Sequence, residues 1–312
     1  MRIFVDTDPG IDDALALAYL TAQPEVDLLG VGSVFGNNPV DVTTDNALRL
    51  LHLFDRATVP VARGAERSLL GRTELGFAEH VHGKNGLGEV ELPASDHAPI
   101  QESAARHLVD LARRHPGEVN VLVLGTCTNL ALALALEPEL PQLLGRVVVM
   151  GGAVAVPGNV RPWAEANVAK DPEAADRVLG AGFDLTLVAL DVTMRTLATE
   201  AWLSRLAAFD SDRARYCARF LEFYVGWYDG RMVAERACAM HDPLAAGILL
   251  DPGLVTDARV CPVHVELTGT HTRGMTVADL RHQPGPDDRP AVRIATAVRS
   301  SDFLDRLLTA LR

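Results

Sequence analysis

The chain alternates short, continuously apolar runs with longer stretches that are apolar on one helical face, and this predicts strand, turn and helix in repeating order. Residues 3–5 form a β-rich run that ends in acids. Residues 12–22 carry Ala14, Leu15, Leu17, Ala18 and Tyr19 at helical spacing. The same reading predicts strands over residues 28–34, 59–62, 119–124, 146–150 and 185–190. It predicts helices over residues 45–54, 102–114, 129–136 and 172–179; the second of these stops at Pro116-Gly117 and the last at Gly180. Residues 199–246 read as mainly helical. A strand pair follows around 263–267 and 272–277, and residues 302–311 close as a helix.

Strands that alternate with helices and lack a polar face belong in a parallel sheet covered on both sides. The expected fold is therefore α/β, a Rossmann-like, mostly parallel open sheet with helices on both faces. Two longer stretches rich in Gly and His, residues 70–93 and 151–167, are loops of the length that usually carries function. Without a linker, repeat or low-complexity tract, residues 1–312 read as one domain.

Composition narrows the partners. The formal net charge is −12, and an acidic surface repels phosphate backbones and anionic lipid. Nucleic acid and membrane are thus excluded as expected partners, and a neutral small molecule is favoured. The four cysteines, Cys127, Cys217, Cys238 and Cys261, form no CxxC pair and are too few for a disulfide scaffold. They read as reduced thiols of a cytoplasmic protein. The N-terminus runs directly into Arg2-Ile3-Phe4-Val5-Asp6 with no apolar signal core.

Ligands of open parallel sheets bind at the carboxyl ends of the strands, so the residues that follow each strand carry the information. The first strand is followed by Asp6, Asp8, Asp12 and Asp13, the second by Gly36-Asn37-Asn38. The strand over 119–124 leads into Gly125-Thr126-Cys127-Thr128-Asn129. The strand over 146–150 leads into Gly151-Gly152, then Asn159, Glu165 and Asn167, and the next leads to Asp191. Four aspartates within eight residues repel one another unless a cation or proton intervenes, and no Lys or Arg lies between Arg2 and Arg49. A hard divalent cation would relieve this, because calcium and magnesium take carboxylate and carbonyl oxygens. Asp12 alternatively caps the helix that begins there.

The run Asp6-Thr7-Asp8-Pro9-Gly10-Ile11-Asp12-Asp13-Ala14 resembles the N-terminal signature of the inosine-uridine preferring nucleoside hydrolases. Met150-Gly151-Gly152, Asn159, Ala164-Glu165-Ala166-Asn167 and Asp171-Pro172-Glu173-Ala174-Ala175 resemble that family's central block, and His241-Asp242-Pro243-Leu244-Ala245 its C-terminal block. His82-Gly83 and Gly86-Leu87-Gly88 resemble a further loop. The resemblance spans almost the whole chain. It departs from the pattern at Gly125-Thr126-Cys127-Thr128-Asn129, which stands where Gly-Pro-Leu-Thr-Asn is commoner, and at Asn38-Pro39.

The resemblance implies a calcium-dependent nucleoside N-ribohydrolase that releases ribose and free base, with a metal-bound water activated by Asp8. It implies calcium ligation by Asp8, Asp13, Asp242 and the carbonyl of Leu124. Asp12, Asn159, Glu165 and Asn167 would hold the ribose hydroxyls, with Asn37 beside Asp8 and Met150 under the ring. His241 would be the acid for the leaving base and His82 would lie near the base pocket. A homodimer or homotetramer is implied as well. Each residue also has a plainer reading: His241 as a helix cap or an orienter of Asp242, His82 as a loop histidine, Met150 as core. The aromatic cluster Phe223, Tyr224, Trp227 and Tyr228 reads as core or as a base-stacking surface.

Two rival functions remain at this point. A haloacid-dehalogenase-type phosphatase also starts Asp-x-Asp after its first strand, but it wants Thr or Ser where Gly10 stands, and a later lysine; the chain has only Lys84 and Lys170. A non-catalytic ribose or nucleoside binder would keep the sugar site, but the intact Asp8 argues against it.

Overall fold

The computed structural model describes residues 1–71 and 75–312. Residues 72–74 of the loop expected over 70–93 lie outside the described residues. Eleven strands are present among the described residues: β1 (Arg2–Thr7), β2 (Asp27–Ser33), β3 (Val61–Arg63), β4 (Val119–Val123), β5 (Val147–Met150), β6 (Leu185–Val188), β7 (Leu197–Thr199), β8 (Ala237–Ala239), β9 (Val255–Val265), β10 (Thr276–Ala278) and β11 (Ala291–Val298). Nine of them form one sheet in the order β10-β9-β11-β6-β5-β4-β1-β2-β3. From β3 to β11 every pairing is parallel; β9 joins β11, and β10 joins β9, antiparallel. The parallel open sheet covered by helices is the expected fold class.

Side-chain alternation on the central strands splits the core in two. Ile3 and Val5 of β1 pack on one face with Ile11, Leu15, Leu50 and Leu244, whereas Phe4 packs on the other with Leu108, Leu130 and Val178. The helix Ile11–Thr21 is buried at every residue, as a helix apolar all round must be. It packs against the helices His241–Leu250 and Asp212–Tyr228, so two helix N-termini, at Ile11 and at His241, converge beside β1.

The chain order 3-2-1-4-5-6 within the parallel part places the reversal of winding between β1 and β4, where such sheets open a crevice. Two backbone hydrogen bonds beyond the strand ends set its walls: Leu124 N–H donates to the Asp6 carbonyl at 2.7 Å, and Val34 N–H to the Thr7 carbonyl at 3.0 Å.

The structure corrects the sequence reading in several places. The stretch 199–246 is mainly helical as expected, but β8 lies within it and pairs antiparallel with β7. The helix expected from residue 45 begins at Val40, directly after Pro39, whose fixed φ suits a helix entrance. The expected strand pair does form between β9 and β10, but β9 starts at Val255. β11 was not anticipated. Its sequence, Ala-Val-Arg-Ile-Ala-Thr-Ala-Val, alternates weakly because alanine reads as neither face.

Candidate active site

The loop between β1 and the helix Ile11–Thr21 delivers the acids. Asp8 is buried on that loop, and its carboxylate is wedged between two glycines. A Cβ on Gly36 would sit 1.8 Å from Asp8 Oδ2, and one on Gly125 2.6 Å from Asp8 Oδ1. Only glycine at both positions leaves room. Asp8 Oδ2 accepts the Asn37 backbone N–H at 2.6 Å, while Oδ1 is buried with no hydrogen-bond partner.

Asp13 is held from three sides. Thr7 Oγ1 donates to Oδ1; the Gly10 N–H (2.9 Å) and Asn37 Nδ2 (3.2 Å) donate to Oδ2. The cap on the helix N-terminus thus comes from Asp13, not from Asp12. Asp12 is left facing a cavity that Tyr224 also lines. Oxygens of Asp12, Asp13 and Asp242 lie within 4.8 Å of one another, Asp242 arriving from the N-terminus of the helix His241–Leu250.

Burial and mutual repulsion raise the carboxyl pKa values of Asp8, Asp12 and Asp242. Asp12 is pushed up to about 8 by desolvation and then by the charge of Asp13. Asp8 and Asp242 are raised well above the carboxylate range, desolvation first in both, then Asp13 for Asp8 and Asp12 for Asp242. Asp6, donated to by Asn129 Nδ2 at 2.7 Å, is pushed up to about 7 by burial. The two helix dipoles offset part of this repulsion.

A cavity of about 330 Å³ opens over the acids. Of the residues expected in the site, it is lined by Asp12, Asn37, His82, Leu124, Met150, Asn159, Glu165, Asn167, His241 and Asp242. Asp8 and Asp13 do not line it; they are buried and are reached from Asn37, which touches both. Asn167 Nδ2 donates to the Leu124 carbonyl at 2.6 Å and lies 3.6 Å from the Met150 sulfur. Glu165 holds the short helix Ala166–Lys170 by accepting the N–H groups of Gly152, Asn167 and Val168, and Asn159 accepts that of Ala166. Asp191, also at this sheet edge, binds the N–H groups of Val154 and Ala155 and supports the loop over 151–167 without entering the cavity.

The far wall is aromatic. His82 accepts the Ile11 N–H on Nδ1 at 3.1 Å and stacks on Tyr224, with ring centroids 5.5 Å apart. Burial takes its pKa down to about 3, so it is a neutral ring whose proton sits on Nε2. His241 shares one hydrogen bond with the Thr193 hydroxyl and another with the Tyr228 hydroxyl, each 2.7 Å long, and burial lowers it to about 4. Tyr224, Trp227 and Tyr228 line the cavity; Phe223 of the same helix does not. Lys170 lines the cavity although the sequence reading gave it no site role, and the bond between the Tyr228 hydroxyl and His241 is a contact that the reading did not specify. For Lys170 a signal existed: it follows Asn167 by three residues, one helical turn away.

The donor set fits a hard cation. Clustered carboxylates and the Leu124 carbonyl are the oxygen ligands that calcium and magnesium take, and the unpartnered Asp8 Oδ1 is an oxygen still lacking a partner.

Comparison with known proteins agrees along the whole length. A sequence profile described as inosine-uridine preferring nucleoside hydrolase matches residues 3–305. The protein named "Probable uridine nucleosidase 2" of Arabidopsis thaliana is 38% identical, with 98% of this chain and 97% of that protein covered. The inosine-uridine preferring nucleoside hydrolase of Crithidia fasciculata is 37% identical over 92% of this chain and 90% of that protein. A solved plant nucleoside hydrolase superposes with a TM-score of 0.94 at 33% identity, covering 99% of this chain and 98% of that one. With the acid cluster, the cavity above it and the whole-length match in agreement, the chain belongs to the inosine-uridine preferring nucleoside hydrolase family.

Proposed function

We propose that this enzyme hydrolyses the N-glycosidic bond of ribonucleosides in a calcium-dependent reaction, with Asp8 as general base. The observation that carries the reading is the buried acid cluster beneath a cavity lined by carboxylates, carboxamides and aromatic rings. The names of the relatives cover inosine and uridine, a purine and a pyrimidine nucleoside, so the substrate class is set at ribonucleosides.

Asp8, Asp13, Asp242 and the Leu124 carbonyl would hold calcium, with Asp12 close by. A calcium ion held by these residues would supply Lewis acidity toward a water and toward the sugar hydroxyls. Asp8 accepts a proton from the attacking water, and its Asn37 hydrogen bond fixes the carboxylate for that transfer. Asp12 and Glu165 accept hydroxyl protons of the ribose, while the carboxamides of Asn159 and Asn167 bond either way. The acids below the sugar favour the positive charge that develops on it. Met150 packs beneath the ring.

The leaving base meets the Tyr224, Trp227 and Tyr228 wall, with His82 beside it. His241 is an uncharged imidazole at neutral pH in this setting. We therefore assign it a hydrogen-bonded proton path with Tyr228 rather than a standing imidazolium. We read residues 1–312 as a single catalytic domain, supported by one sheet that takes strands from residue 2 to residue 298. The setting we propose is a cytoplasmic homodimer or homotetramer; three of the four cysteines are free and buried, and among the described residues no helix is long and apolar enough to cross a membrane.

The test is ribose release from inosine, guanosine, uridine and cytidine. Chelation should abolish turnover and added calcium restore it. Asp8→Asn should lose about a thousandfold or more in kcat, as removal of a positioned base does, while its circular dichroism stays that of the parent. Nucleoside binding without release of base would favour the binding protein; phosphate release from a nucleotide without release of base would favour the phosphatase. Full activity of Asp8→Asn would remove the assigned base.

A further inference from the structure

Lys170 ends the helix Ala166–Lys170 and lines the same cavity as the acids. Its Nζ donates to the Gly36 carbonyl oxygen. The peptide group that begins at that carbonyl ends at the Asn37 N–H, which donates to Asp8 Oδ2 at 2.6 Å. One planar amide thus lies between an ammonium and a carboxylate, with its oxygen on the cation and its N–H on the anion. Both ends of the peptide dipole are favourably placed, and each hydrogen bond polarises the other. The charge of Lys170 also acts on Asp8, Glu165 and Asp13. Gly36 and Gly125 lie so close to the two oxygens of Asp8 that a side chain at either position would collide with the carboxylate.

We propose that Lys170 is a positioning residue for the reaction, anchoring the Gly36–Asn37 peptide so that the Asn37 amide holds Asp8 Oδ2 and leaves Oδ1 toward the reacting water. This rests on Asp8 as the base. Lys170 lines the cavity, but its hydrogen bond goes to the Gly36 carbonyl, so loss of that bond acts on turnover rather than on capture of the nucleoside. A lysine that merely tied the helix Ala166–Lys170 to the loop after β2 would instead lower stability, or loosen nucleoside binding through Asn167.

The test compares Lys170→Met and Lys170→Arg with the parent enzyme in calcium-containing buffer. Loss of a charged hydrogen bond that orients the base should lower kcat of Lys170→Met about ten- to a hundredfold. KM should change less than about threefold, because an interaction that counts only in the transition state lowers kcat and kcat/KM alike, and Lys170→Arg should recover most of the loss. Hydrogen exchange of the Asn37 amide, followed in chelator so that it reads the protein alone, should quicken in Lys170→Met and not in Lys170→Arg. A kcat within twofold of the parent, a loss confined to KM, or unchanged Asn37 exchange would overturn the proposal. If Lys170→Met does not fold, Lys170→Gln, which keeps a neutral donor, carries the same comparison. A parent enzyme that releases no ribose would instead overturn the hydrolase reading, and the Asn37 exchange would still report on the Lys170 contact.

Discussion

At the scale of single residues, the tightest constraint is the glycine pair around Asp8. A Cβ at Gly125 would fall 2.6 Å from Asp8 Oδ1, closer than real Cβ contacts come. Gly125→Ala should therefore turn the carboxylate and cost about a hundredfold in kcat, the order expected for a misplacement near 1 Å; steady-state ribose release checks this, with a thermal melt as control for folding. The four acids were legible in the sequence because four like charges in eight residues demand an explanation. Their division of labour was less so. That Asp13 takes the cap, that Asp8 lies outside the cavity lining and that Asp12 points into it depend on which carboxylate the loop turns inward. Spacing of one or two residues does not encode that. For Lys170 the spacing from Asn167 marked only the helix face: the partner that gives it meaning is a carbonyl, and a carbonyl has no letter in the sequence.

At the scale of elements, helices with strong patterns were the most legible. The helix Ala104–Arg114, apolar on one face and capped by Ser103, lies within two residues of its expected limits. β11 and the β7–β8 pair were not found, because short or alanine-rich strands gain their identity from neighbours rather than from their own pattern. The helix Asp212–Tyr228 shows how one element can serve two ends: Phe220 and Leu221 pack in the core, while Tyr224, Trp227 and Tyr228, one turn further on, form the cavity wall. The sequence favoured core over stacking surface for this cluster while allowing both to hold; Tyr224 and Tyr228 are both buried and cavity-lining. Tyr228→Phe keeps the ring packing and removes the hydroxyl that His241 shares. It should lower kcat about tenfold with little change in stability, consistent with one proton-transfer contact, and the nucleoside panel would show for which bases that contact counts.

At the scale of the whole molecule, β11 occupies an unusual place. It is the last strand of the chain, yet it sits inside the sheet, between β6 and β9. The ten strands before it are therefore made before the sheet can reach full width, and until residue 298 is made β6 offers an open edge that invites foreign strands. The opposite end of the same problem is β1, made first and flanked by β4, whose residues follow more than a hundred positions later. Such long-range pairings close slowly. In refolding from denaturant, helical circular dichroism should return well before catalytic activity; simultaneous recovery of the two would contradict this order of assembly. Chains cut short after residue 290 should aggregate rather than settle into a smaller enzyme, so a nascent copy of this protein is most in need of a chaperone while residues 291–298 are still unmade.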